Sequence, residues 1–397
     1  MLALLLAPVY ALACFYLFRR MTGWLHAWVP ELLRKRRWLI PAVPLGLLAL
    51  SPLIAYLLPA GALRRILTPI GNYWLGVTAY LLLIVLLIDL LRLLARCVPH
   101  SRRLTRSVRA HRIAGCVCVL ALAATTLGGV WNARIIRVTP YEITVPKQAG
   151  TLASLKVVLA ADLHLGYNIG ARQMTKMVEK INVQEPDLVV LAGDIFDGEW
   201  EAVPNPEELA GILRGIRARY GVYACYGNHD VEEPTLAGFT FGGGSGKESA
   251  PEMDAFLQEA GIRLLHDEGV QIAGSVFLYG RPDARRPGRG ISQRRTPEEI
   301  TAGLDQDRPI LVLDHEPREL AELARAGVDV ALGGHTHDGQ LFPANLLLRL
   351  LWENSCGLLE KNGMYSIVTS GAGLFGPNMR VGTRAEICPI TIHFAAP

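Results

Sequence analysis

Leu155-Lys156-Val157-Val158-Leu159-Ala160-Ala161-Asp162-Leu163-His164 is a short apolar run that ends in an aspartate and a histidine two residues apart. A run of seven residues with one Lys has the length and composition of a strand buried on both faces. The pattern repeats downstream. The runs 188–192, 222–226, 276–279, 310–313 and 328–332 read as further strands, while 171–184, 206–219 and 317–326 read as helices. Strands alternating with helices predict an α/β domain. Four of the further strands also end in polar clusters: Gly193-Asp194-Ile195-Phe196-Asp197, Gly227-Asn228-His229-Asp230, Asp314-His315-Glu316-Pro317 and Gly333-Gly334-His335-Thr336-His337. An α/β sheet places its ligands beyond the carboxyl ends of its strands, so five strands aim Asp, Asn and His at such a region.

Imidazole combined with carboxylate or amide oxygen, and no thiolate, suits a divalent metal such as Mn, Fe or Zn. The donors exceed one metal's needs. In Asp162-Leu163-His164 and His335-Thr336-His337 the spacing of two lets both side chains of a pair point to one side of an extended segment. The ordered set Asp-x-His, Gly-Asp-x-x-Asp, Gly-Asn-His-Asp, a lone His and Gly-His-x-His resembles the calcineurin-like metallophosphoesterase superfamily, from about Leu155 to the C-terminus. With the apolar runs ahead of it, and Gly371-Ala372-Gly373 and Ala385-Glu386-Ile387 behind, it looks like the membrane-anchored branch of that superfamily.

The resemblance implies a four-layer α-β-β-α sandwich and a metal-dependent phosphohydrolase with two divalent metal ions. Asp162, His164, Asp194 and His337 would bind one metal; Asp194, Asn228, His315 and His335 would bind the other, with Asp194 bridging. Two cations ~3.5–4 Å apart activate water for in-line attack on phosphorus. His229 would stabilise the transition state or protonate the leaving group, and Asp230 would orient His229. Asp197 is expected behind the ligands. Two residues depart from the common pattern: Asp314 stands where a small residue is usual, and Asp338, expected to face solvent, where Gly is usual.

The rest of the chain is a different physical object. Over 397 residues, 51% are hydrophobic and 19% charged, too apolar for an ordinary soluble protein and incompatible with disorder. Residues 1–150 hold 18 Lys and Arg against 3 Asp and Glu, a net charge of +15, whereas the remainder has a net charge of −11. Four apolar runs, 2–18, 38–59, 70–91 and 113–131, are each close to the ~20 residues that cross a bilayer as a helix. The organisation expected is therefore a four-helix transmembrane region over 1–132, a linker over 133–154 with Pro140 and Pro146, and the metallophosphoesterase domain over 155–397.

Arg clusters that flank apolar runs mark a membrane protein rather than a nucleic-acid partner. Arg19, Arg20, Arg34, Lys35, Arg36 and Arg37 follow the first run, and Arg92, Arg96, Arg102, Arg103, Arg106, Arg109 and Arg112 follow the third; only Arg64 and Arg65 follow the second. Basic loops stay cytoplasmic, which puts the N-terminus and the catalytic domain of a multi-pass cell-membrane protein outside the cytoplasm. The first run lacks a basic stretch ahead of it and reads as a retained helix, not a removed signal peptide. Trp24 and Trp28 are expected in an interfacial loop, and Asp89 is expected to pair with Arg92. The seven cysteines lack the close spacing of a zinc site or disulfide framework.

The motifs read a phosphate and leave the rest of the substrate open. A phosphomonoester, a phosphodiester or a pyrophosphate fits, and so does a lipid-linked substrate. Arg281, Arg285, Arg286 and Arg289, with Arg294 and Arg295 beyond, crowd one loop of an acidic domain and are candidate substrate contacts. Residues 341–352, apolar except for Asn345 and Arg349, are too short to span a bilayer; they are expected to dip into the outer leaflet as one wall of the site, with a core helix under the sheet as the alternative. The competing reading is a membrane receptor that binds a phosphorylated ligand without turnover; an intact His229 beside a complete set of ligands favours the enzyme.

Overall fold

The computed structural model describes residues 2–33, 38–97, 107–240, 248–288 and 291–396. Arg34, Lys35, Arg36, Arg37, Arg102, Arg103, Arg106 and Arg289 lie outside the described residues. The chain divides into two units, Met1–Trp131 with Gly376–Met379, and Asn132–Phe375 with Arg380–Pro397.

The first unit contains the long helices α1 (Leu2–Trp28), α2 (Leu39–Leu57), α3 (Ala62–Cys97) and α4 (Val108–Asn132). Of these, α2, α3 and α4 are long and apolar enough to cross a membrane, by length and composition. The basic residues expected in loops are largely helical. Arg19, Arg20, Trp24 and Trp28 lie in α1, Arg64, Arg65, Arg92 and Arg96 in α3, and Arg109 and Arg112 in α4. A 36-residue helix such as α3 is about 54 Å long, well beyond the ~30 Å hydrocarbon core, so its basic ends need not leave the helix to reach water. Asp89 lines one cavity with Arg92, as expected, and also draws partners from another helix: Arg20 of α1 pairs with it, and the Tyr16 hydroxyl donates to it at 2.5 Å. A carboxylate in an apolar bundle takes whichever cation and donor the neighbouring helix supplies.

The second unit begins earlier than the sequence reading allows. The residues taken as a linker form β1 (Ile136–Val138) and β2 (Tyr141–Gln148), which lie end to end along the last strand and run parallel to it. Pro140 falls between them and Pro146 sits in an edge strand, the two places where a missing N–H breaks no sheet ladder. The elements that follow are β3 (Ser154–Ala160), α5 (Ala171–Val183), β4 (Leu188–Ala192), α6 (Pro206–Arg214), β5 (Val222–Cys225), the two-stranded β6 (Thr235–Leu236) and β7 (Phe239–Thr240), α7 (Pro251–Glu259) and β8 (Ile262–Leu264). Then come β9 (Glu268–Ile272), β10 (Val276–Gly280), α8 (Pro297–Thr301), β11 (Ile310–Leu313), α9 (Leu320–Arg325), β12 (Val330–Gly333), α10 (Ala344–Leu351), β13 (Gly357–Lys361), β14 (Met364–Val368) and β15 (Ala385–Ala395).

One mixed sheet has the order β1-β15-β3-β4-β5-β8, with β2 also on β15; the other has the order β13-β14-β12-β11-β10-β9. Within them β3, β4, β5 and β8 are mutually parallel, as are β10, β11, β12 and β14. The apolar runs are continuous because both faces of these strands are covered. Along β3 and just beyond it, Leu155, Val157, Leu159 and Ala161 join a core that also contains Leu278, Leu311, Leu313, Val330 and Leu332 of the other sheet, whereas Val158 and Ala160 pack among Met174, Met177, Leu209 and Phe256 of the helices. Beyond the second sheet, Ile310, Val312 and Ala331 pack against Ile300, Leu320 and Leu323. The parallel strands present their carboxyl ends together, and the polar clusters begin there.

Candidate metal centre

Each candidate ligand follows the last residue of a parallel strand by a few positions: Asp162 after β3, Asp194 after β4, Asn228 after β5, His315 after β11 and His335 after β12. The backbone there is unusual. Asp162, His164, Asp194, His335 and His337 have φ of 54°, 48°, 49°, 75° and 52°, the left-handed region that costs a side-chain-bearing residue energy. Such a conformation is maintained where packing and hydrogen bonding fix it, and here the chain turns sharply to bring its donors inward. Two glycines make room: a Cβ on Gly227 would sit 2.4 Å from Asp194 Oδ1, and one on Gly193, itself at φ 80°, would sit 2.6 Å from His315 Nδ1. No side chain fits either position.

The candidate ligands converge in two groups, each small enough to hold an ion, Asp162, His164 and His337, and Asp194, His315 and His335, beside a third such group made by His164, Asp197 and His229. In the first, His164 Nε2 lies 3.0 Å from His337 Nε2, and His337 Nε2 lies 3.4 Å from Asp162 Oδ1. In the second, Asp194 Oδ2 lies 3.0 Å from His315 Nε2, and His335 Nδ1 lies 3.3 Å from His315 Nε2 and 2.8 Å from Asn228 Oδ1. Asp194 also reaches the first group, with Oδ2 3.8 Å from His164 Nε2. All seven ligands expected from the sequence are therefore brought together, with Asp194 between the two groups.

The tautomers fit a cation. His315 Nδ1–H donates to the Ala192 carbonyl at 2.7 Å, and His164 Nδ1 faces Asp197 Oδ1 at 3.3 Å, which turns the Nε2 of each ring into the site. Bare nitrogen lone pairs crowded at 3.0 Å repel unless a proton or a cation lies between them. Burial pushes His335 down to about 3, aided by the charge of His315, and burial and His164 hold His337 well below the usual imidazole range. Those two rings stay neutral, as metal ligands must. Burial raises Asp162 to about 6. Burial opposes ionisation of Asp194 as well, but the adjoining His315 and His229 outweigh it and keep that carboxyl well below its ordinary value. Burial lowers His164 and His315, but Asp197 for the one and Asp194 for the other outweigh it and hold both rings above the usual imidazole range, so protons take the places that divalent metal ions would fill.

His229 lies against this site, its ring 5.1 Å from that of His164, while its backbone N–H donates to Asp194 Oδ1 at 2.8 Å. The orienting role expected of Asp230 falls elsewhere. Both Asp230 oxygens are taken by backbone, accepting from Phe196 N at 2.8 Å and Gly227 N at 2.7 Å, so this carboxylate fastens the loop after β4 to the loop after β5. The carboxylate nearest His229 Nδ1 is Asp197, at 3.9 Å. Burial and the charge of Asp194 raise Asp230 to about 7.

The arginine loop is also reassigned in part. Arg281 and Arg294 are buried and share two acceptors, Asp314 at 2.7 and 2.9 Å and Glu319 at 2.8 Å from each. Arg281 is therefore a structural cation, and Asp314, the departure before the lone histidine, is its counter-charge. Arg286 pairs with Glu233 at 2.8 Å and donates to the Asn228 carbonyl at 3.3 Å, so it braces a ligand loop; Arg285 is exposed. Asp338, expected to face solvent, is partly buried, with one oxygen inaccessible.

Several neighbours were given no role from the sequence. The fully buried Arg380 donates to the His337 carbonyl and faces His337 Nδ1, both at 3.2 Å, and also donates to the Ser370 and Gly373 carbonyls. Glu316 Oε1 lies 3.5 Å from His335 Nε2. The Phe375 ring lies 5.8 to 6.2 Å from the rings of His164, His229 and His337, and Trp352 lies 5.2 Å from that of His335. Glu316 was visible as part of a strand-end cluster, but Arg380 and Phe375 come from loops without a motif.

Residues 155–339 match the calcineurin-like phosphoesterase family. An uncharacterized metallophosphoesterase of Aquifex aeolicus is 31% identical over 261 residues, covering 65% of this chain and 92% of that protein. The chain belongs to the calcineurin-like phosphoesterases. It is thus a metallophosphoesterase by family, and its similarity reaches beyond the catalytic domain. The "transmembrane protein with metallophosphoesterase domain" of Danio rerio is 28% identical over 337 residues, covering 81% of this chain and 72% of that protein. UDP-2,3-diacylglucosamine pyrophosphatase LpxG of Chlamydia trachomatis is 25% identical over 257 residues, covering 55% of this chain and 76% of that protein.

Proposed function

We propose that the chain is a dinuclear-metal phosphoesterase of the cell membrane that hydrolyses a phosphate ester or pyrophosphate of a lipid or lipid-linked substrate on the extracytoplasmic face. The observation that carries this reading is the pair of His and Asp groups with Asp194 between them. Asp162, His164, Asp194 and His337 would hold one divalent ion, and Asp194, Asn228, His315 and His335 the other, with Mn, Fe and Zn all suited to these donors. Two such ions, when bound, neutralise the phosphate oxygens and lower the pKa of water.

The chain's own residues do the rest. Asp197 holds the His164 ring through Nδ1, and the Ala192 carbonyl holds that of His315, so each presents Nε2 without rearrangement. His229, fixed through its backbone to the Asp194 carboxylate, stands where it can stabilise the transition state or give a proton to the leaving oxygen. A four-layer α-β-β-α arrangement is the natural reading of two sheets that share one core and carry helices on their outer cores.

Four membrane crossings, α1 included, agree with the basic residues that follow the first and third apolar runs, and they put the catalytic domain outside. The lipid element of the proposal draws on the apolar helices and on the named substrate of the Chlamydia relative. Full-length protein in detergent with Mn, offered a chromogenic diester, a monoester and a lipid pyrophosphate, tests both levels. Turnover of none with a phosphorylated ligand still bound removes the enzyme reading; turnover of soluble esters alone removes the lipid substrate.

A further inference from the structure

The second unit shows few large apolar side chains to water, and they are concentrated. Among its described residues Ile135, Val183, Phe239 and Leu358 are scattered, whereas Phe342, Leu346, Leu347, Leu350 and Leu351 fall within ten consecutive positions. Leu350 and Leu351 are 83% and 76% exposed. Scattered exposed leucines need no account, but a contiguous set marks a surface that meets something apolar. At 100° per residue, Leu346, Leu347, Leu350 and Leu351 occupy an arc of about 140° on α10, while Asn345, on the opposite side, is buried. Arg349 flanks the arc, exposed.

This helix is not a loosely attached arm. A Cβ on Gly339 would lie 2.5 Å from the Asn345 backbone nitrogen, so the turn carrying His337 is packed directly on the first turn of α10. At its other end Trp352 lies against His335, with the Arg318 guanidinium 4.4 Å from the Trp352 ring. The ring of His335 and the turn that follows His337 are thus both in contact with the segment that bears the exposed leucines. Movement of α10 would disturb the candidate ligands, so a fixed surface is implied.

We propose that the leucine face of α10 rests in the headgroup and upper acyl region of a phospholipid bilayer, with Arg349 at the level of the phosphates. A bilayer is the partner the chain itself supplies, because the same polypeptide carries α2, α3 and α4, each apolar and long enough to cross one. An amphipathic helix with a leucine face and a flanking arginine has the composition of an interfacial segment, and its eight residues are too few to span. The consequence is that the metal centre opens next to lipid, held there by a helix that touches its ligand loop. The inference extends the membrane reading above but does not depend on turnover.

The test is Leu350→Trp in the full chain, reconstituted in vesicles of phosphatidylglycerol and phosphatidylcholine with or without dibrominated acyl chains. The fluorescence added relative to the parent protein is expected to be blue-shifted and to be lost on bromination. Leu347→Trp serves as a second probe should the first variant fail to fold, and hydrolysis of a small soluble ester, which needs neither leucine, reports folding. Added emission at a water-like wavelength, or blue-shifted emission that bromolipid does not quench, overturns the proposal; the second result would mean that protein, such as another copy of the chain, covers the face. Because lipid contact is read without any lipid substrate, loss of this inference leaves the phosphoesterase reading standing, and the reverse also holds.

Discussion

Asp314→Ala offers a demanding prediction, because the sequence and the structure give its neighbour Arg281 different tasks. Asp314 is 4% exposed and accepts from Arg281 Nη1 at 2.7 Å and Arg294 Nη1 at 2.9 Å, and both guanidinium groups are themselves buried. Removing it leaves two buried cations to share Glu319, whose carboxylate is partly in water. Breaking a buried ion pair by deleting one partner costs roughly 3–5 kcal/mol. In a domain of this size each kcal/mol lowers the melting temperature by about 2–4 °C, so thermal unfolding of the full-length protein in detergent should shift down by about 6–20 °C. Replacing all three groups with apolar ones, as in Arg281→Met, Arg294→Met and Asp314→Leu together, should recover most of the loss, since no buried charge is then stranded and Glu319 is partly in water. A melting temperature unchanged in Asp314→Ala, with Arg281→Met weakening substrate affinity alone, would refute the structural assignment and restore Arg281 as a substrate contact.

Other perturbations test the site more directly. His229→Ala removes no candidate ligand, so metal content measured by elemental analysis should stay at the wild-type level while kcat falls by ~10² to 10⁴; a metal-depleted variant would contradict the role given to His229. Gly227→Ala places a Cβ 2.4 Å from Asp194 Oδ1, forcing that carboxylate aside by about 1 Å, and a displacement of that size should lower kcat by roughly 10² in a steady-state assay. Burial favours the neutral form of Glu319, but Arg281 and Arg294 outweigh it and hold the carboxyl below its ordinary value of 4.5. Its contribution to stability is therefore present above that value and lost as pH falls through the depressed one, and acid unfolding should show a component that Glu319→Gln removes. A cysteine placed between Glu199 and Pro204 should react with a membrane-impermeant thiol reagent in intact cells, whereas one at Ser107 should not.

How much of this was legible beforehand depended on whether a residue's task is local. The strands β3, β4 and β11 could be read almost to the residue, because burial on both faces leaves an uninterrupted apolar run. The candidate ligands were legible for a related reason: each is tied to the end of such a strand, at a spacing set by one sharp turn. β1 and β2 were not, since their pairing with β15 is made across more than two hundred residues and their prolines imitate a linker. The same distance hid Arg380, whose partner His337 lies 43 positions away. Asp230 misled for a physical reason, because a carboxylate next to a histidine in sequence turned out to serve two backbone amides on neighbouring loops. Charge counting likewise found the arginines of the loop after β10 but not the carboxylates, Asp314 and Glu319, that neutralise Arg281 and Arg294.

The central claim is that Asp194 stands between two metal ions at the site of phosphate hydrolysis. Metal content and ester turnover, measured together on full-length wild type and Asp194→Asn, address it at once. The account predicts two divalent ions per active wild-type chain, and in Asp194→Asn a loss of metal from both positions together with nearly all turnover. An Asp194→Asn protein that keeps both ions and still hydrolyses the ester, or a wild type fully active with a single ion, would contradict it.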